Sequence, residues 1–86
     1  MKKKYDLVIA GTELAIISDE DEKYVKAAAK ELDEEIVGTV VNNQRCTKLE
    51  AAILCALSHL DAQRKAEEKA EALLKEIEEL KNERQL

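Results

Sequence analysis

The side chains of this 86-residue sequence best suited to zinc or thiol chemistry are Cys46, Cys55 and His59. Cys55 and His59 are four apart, so on a helix they share a face, and a two-fold pairing of chains could offer zinc four ligands. Zinc spacing normally comes in two paired halves, and this chain has one histidine and no second pair. Cys55 then reads as a small hydrophobe inside Ala51-Ala52-Ile53-Leu54-Cys55-Ala56-Leu57, and His59 as a residue at the edge of that run. If His59 bordered a subunit contact, its protonation would weaken assembly. The acidic run Asp19-Glu20-Asp21-Glu22 lacks the longer alternating oxygen pattern and turn glycine of a calcium loop. It sits instead where a helix begins, and Ser18 or Asp19 can cap that helix. No phosphate-binding glycine loop, Gly-x-Ser-x-Gly or His-Glu-x-x-His element is present. The expectation is a protein without catalytic, metal or cofactor chemistry.

Composition narrows the partners. The net charge is −5, and only Lys2–Lys4 cluster positive charge, which is no footprint for nucleic acid. No apolar run approaches a membrane span. The opening lysines lack the apolar segment of a secretory signal, so a cytosolic location is expected. The only aromatic residues are two Tyr; a core without Phe or Trp lacks its largest contributors, and chains of this size usually gain support from association.

The elements that must position these residues follow from periodicity. Tyr5, Leu7 and Ile9 alternate along a first strand, Leu14 to Ile17 form a second, and Gly11 between them supplies a turn, which together predict a β-hairpin. Tyr24, Val25, Ala28, Leu32 and Ile36 recur at helical spacing, and Gly38 is the expected stop. Thr47 and Glu50 form the capping-box pair that opens a second helix. No Gly or Pro interrupts the chain after Thr47, so this helix would be on the order of 55–60 Å long. The fold class is α+β: a hairpin and a short helix packed on a long C-terminal helix. Residues 1–60 make the head, and residues 61–86 extend the long helix beyond it.

The long helix changes character along its length. From Leu49 to Leu60 it is apolar nearly all round, so it must be buried on more than one side. Beyond Asp61 it narrows to Ala66, Ala70, Leu73, Ile77 and Leu80, spaced as a heptad seam that Arg84 ends. Such a seam is unstable uncovered in water, and no breaker lets the helix fold back on itself. Self-association is the expected solution, with Ile53, Leu57, Leu60, Ala66, Ala70, Leu73, Ile77 and Leu80 as the interface. Glu76 and Lys81 would pair in a parallel coil, and Lys69 and Glu76 in an antiparallel one. Coil orientation, and dimer against tetramer, stay open at this level.

The order of these elements, with Ile9-Ala10-Gly11 closing the first strand, Tyr24-Val25 after the acidic run, and Thr47-Lys48-Leu49-Glu50-Ala51-Ala52-Ile53-Leu54-Cys55-Ala56-Leu57-Ser58 before a charged heptad tail, resembles the ZapA family. Members of that family bind the tubulin-like division GTPase FtsZ, and this chain looks like the short form found in Gram-positive bacteria. The resemblance covers nearly the whole chain, with Ser58 where members often carry Asn. It implies a non-enzymatic, cytoplasmic protein at the division site. Such a protein dimerises through its long helix, pairs dimers into tetramers, and cross-links and bundles FtsZ protofilaments into the Z-ring. It further implies FtsZ contact at the hairpin tip, Thr12 and Glu13, and around the start of the second helix, Arg45, Lys48 and Glu50. A coiled-coil adaptor with another protein partner, or a metal-responsive regulator using Cys46, Cys55 and His59, are the other function classes compatible with the sequence.

Overall fold

The computed structural model describes residues 1–84. Gln85 and Leu86, the end of the 61–86 extension, lie outside the described residues, as do the side chains of Glu83 and Arg84. The elements are β1 (Lys3–Ile9), β2 (Thr12–Ser18), α1 (Glu22–Asn42) and α2 (Lys48–Arg84). They divide into two compact units, Met1–Cys55 and the stretch from Ala56 onward.

In the first unit β1 and β2 pair antiparallel, with Tyr5 opposite Ile16, Leu7 opposite Leu14, and Ile9 opposite Thr12. Tyr5, Leu7, Ile9, Ile16 and Ser18 are half-buried, whereas Val8 and Ile17 on the other face are exposed. That alternation is the period-two pattern of a sheet covered on one side. An apolar groove of about 260 Å³, lined by Leu7, Leu14, Ile16, Val25 and Leu32 among others, runs between the hairpin and α1. The Tyr5 hydroxyl donates to the Glu20 carbonyl at 2.9 Å, tying the first strand to the segment that enters α1.

Helix α1 is capped by Asp21 rather than Ser18 or Asp19: its Oδ1 accepts from the Tyr24 amide at 2.8 Å. Ser18 serves the turn before it, its Oγ accepting from the Glu20 amide at 3.1 Å. The helix also runs through Gly38, the expected stop, and ends at Asn42. A glycine inside a helix costs about 1 kcal/mol relative to alanine, which packing can offset. Val40 beyond it packs on the core cluster, and the Thr39 hydroxyl donates back to the Glu35 carbonyl at 2.8 Å.

The core gathers Ile36, Cys46, Ala51 and Cys55, with Ile9, Ala10, Leu32, Val40 and Ala52 half-buried around it. Hairpin and α1 thus meet the start of α2, as the apolar pattern requires. The burial is one-sided, however: Ala51 and Cys55 are buried while Leu49, Ile53 and Leu54 stay exposed. The expectation of burial on several sides fails for the single chain because its few core elements face only that side of the helix. Thr47 opens α2, with its Oγ1 accepting from the Glu50 amide at 3.1 Å. The Glu50 carboxylate takes the Thr47 hydroxyl at 3.1 Å, not the backbone amide of a full capping box.

The second unit is helical through Arg84. Its large apolar residues, Leu57, Leu60, Leu73, Leu74, Ile77 and Leu80, are all exposed, and Asp61 pairs with Lys65 at 2.8 Å.

Candidate functional site

The first unit converges on a two-residue turn. Ile9 and Thr12 close the ladder, leaving Ala10 and Gly11 as the loop, with φ of 51° and 75°. Positive φ at both positions is the type I′ geometry whose twist matches the strands it joins. Gly11 adopts it freely, while Ala10 carries a Cβ in the left-handed region at a cost of about 1–2 kcal/mol.

Two side chains hold Ala10 there. Its amide donates to Asp33 Oδ1 on α1 at 2.6 Å, and its carbonyl accepts from Lys48 Nζ at the start of α2 at 3.0 Å. Opposite charges therefore take the donor and acceptor of one peptide position, in the sense that makes each bond charge-assisted. Beside the turn is a cleft of about 290 Å³ lined by Thr12, Leu14, Leu32, Leu49 and Lys48 among others, with Lys48 its one charged wall residue.

The residues expected to meet a partner are distributed unequally around this turn. Thr12 and Lys48 line the same cleft. Glu13 pairs with Val8 and lies with Asp6 and Ala15 along a shallow depression of the hairpin. Arg45 is exposed in the short connection between the helices. Glu50 is exposed and bonded to Thr47. Sequence reasoning missed Ala10 and Asp33. An Ala-Gly loop signals a turn whose first residue needs outside support, but nothing local says which distant side chain gives it.

The residues expected at a self-interface, Ile53, Leu57, Leu60, Ala66, Ala70, Leu73, Ile77 and Leu80, are all exposed in the single chain. The cysteines are free and buried. Cys46 Sγ donates to the Thr47 carbonyl at 3.4 Å, and Cys55 Sγ lies 3.8 Å from Thr39 Oγ1. Among the described residues no group of three or more His, Cys, Asp or Glu could hold a metal ion, and no helix is long and apolar enough to cross a membrane. At the start of α1 the Lys26 ammonium, 2.7 Å from Glu22, holds that carboxyl below its usual range by hydrogen bond and charge, and Lys26 is raised in turn.

Compared with known proteins, residues 5–86 match the family model described as cell division protein ZapA. Neither the curated proteins nor the solved structures give a match.

Proposed function

The chain belongs to the ZapA family of cell-division proteins, and from that premise we propose that it is a non-enzymatic scaffold that binds FtsZ and bundles its protofilaments. Residues 1–60 serve as the binding head and residues 61–86 as the oligomerising extension. The supporting observation is the apolar stripe of α2: Leu73, Ile77 and Leu80 are each about half exposed in the single chain. A soluble protein rarely leaves such a stripe open, and a second copy of the same helix supplies a cover of matching heptad spacing. Dimers through this seam, able to pair into tetramers, carry identical heads. Bivalence of this kind raises apparent affinity for a repeating filament by about 10²–10⁴ without new contacts.

The head surface assigned to FtsZ runs from Thr12 and Glu13 at the hairpin turn to Arg45, Lys48 and Glu50 at the start of α2. The action then lies at the cytoplasmic division site, where FtsZ filaments assemble. Cosedimentation with purified FtsZ and GTP tests this reading. The chain should pellet with filaments and increase the pelleted fraction, and a chain that stays in the supernatant at all concentrations overturns it.

A further inference from the structure

We propose that Asp33 and Lys48 are positioning residues: together they lock the Ala10–Gly11 turn, so that Lys48 acts on partner binding through the hairpin rather than by touching the partner. This rests on the head being the FtsZ-binding part, and it takes Lys48 out of the contact surface proposed above, leaving Thr12, Glu13, Arg45 and Glu50 to meet the partner.

Both polar groups of Ala10 point out of the hairpin ladder, because the ladder closes at the Ile9–Thr12 pair. A type I′ turn is most at ease with Asn-Gly, where the first residue tolerates positive φ. Here alanine occupies that position at φ 51°. An isolated hairpin with such a loop would open readily, since two strands alone are marginal. Asp33 reaches in from α1 and Lys48 from α2, at 2.6 and 3.0 Å, and they grip the same residue from its amide and its carbonyl. The three chain segments of the head meet at this one peptide position. Backbone held in a sparsely populated region by its surroundings marks a place where geometry has been fixed for use. What is fixed is the placement of Thr12 beside the cleft that Lys48 also lines.

Lys48→Met keeps most of the aliphatic stem and removes the donor, while Asp33→Ala removes the acceptor. In the full chain, each should speed amide exchange at Ala10 and Thr12 by about threefold to tenfold, the modest size expected for charge-assisted bonds near the surface. Each should weaken FtsZ binding by a similar factor, and the double variant should fall short of the product, because both act through one turn. Adding Ala10→Asn, or Ala10→Gly where the larger side chain crowds the core, should restore binding to Lys48→Met by relieving the turn itself.

A direct contact gives the opposite pattern. Binding then falls with turn exchange unchanged, and no substitution at Ala10 restores it; that result overturns the proposal. So does faster exchange with undiminished binding. Should the unaltered chain fail to bind FtsZ at all, the functional reading falls, while the exchange measurements still judge the lock separately.

Discussion

Replacing Leu73 with Asp should dissolve the oligomer proposed above while leaving the first unit folded. Burying a Leu or Ile side chain completely stabilises by about 1.5–3 kcal/mol. Leu73, Ile77 and Leu80 are 51%, 48% and 58% exposed in the single chain. Covering what remains is therefore worth about 0.8–1.5 kcal/mol at each position, or about 5–9 kcal/mol over both copies of the three. Leu73→Asp removes about 2–3 kcal/mol of this and brings two carboxylates to a surface that excludes water. The charge contributes at least as much again, for a total of about 4 kcal/mol or more. That corresponds to about a thousandfold rise in the dissociation constant. Sedimentation equilibrium reads the outcome directly. The unaltered chain should give a multiple of 9.7 kDa, and the variant a single-chain mass at micromolar concentration. The core of Ile36, Cys46, Ala51 and Cys55 lies in the first unit, so the protected amides of that unit should persist. A variant with the mass of the unaltered chain refutes the reasoning, as does an unaltered chain that is single at millimolar concentration.

Thr47→Ala should cost about 1 kcal/mol by removing the hydroxyl that caps α2, seen as a lower urea midpoint at unchanged slope; Thr47→Ser should retain most of it. Glu22 should titrate below its ordinary value of 4.5 because Lys26 bonds its charged form. A carboxyl held below its unfolded value contributes stability that is present above that value and is lost as pH falls through the lower native one. A carboxyl-carbon NMR titration reads the midpoint. It should return to the ordinary value in Lys26→Ala, and a midpoint at or above 4.5 in the unaltered chain contradicts the pairing.

Those parts of the fold that depend on neighbours in sequence were legible in it. Alternation of Tyr5, Leu7 and Ile9 and the glycine at 11 announce the hairpin, and the Thr47–Glu50 pair announces α2. Gly38 misled because its helix cost is small beside the packing of Val40 on the core, which no local pattern reveals. The α1 cap moved to Asp21 because Ser18 is still the last residue of β2. Several residues in that stretch have capping chemistry, and the strand's end decides among them. At the candidate site, Lys48 was visible as a charge but its partner was not: it bonds a carbonyl thirty-eight residues away. Asp33 stayed hidden among the acidic residues of α1, since its neighbours give it no distinguishing company.

The bond from Tyr5 to Glu20 has a practical corollary. With no Trp or Phe and only Tyr5 and Tyr24 as chromophores, near-ultraviolet optics of this molecule see a single locality, the joint where the first strand meets the entry to α1. Tyr24 is exposed, so its signal varies little with conformation, and Tyr5 serves as an intrinsic gauge of whether that joint is made. Thermal melts followed by tyrosine emission will report the first unit, whereas far-ultraviolet dichroism sums α2 with the 21 residues of α1. The stretch from Ala56 onward holds no tyrosine, so one inexpensive spectrum follows the first unit without a label.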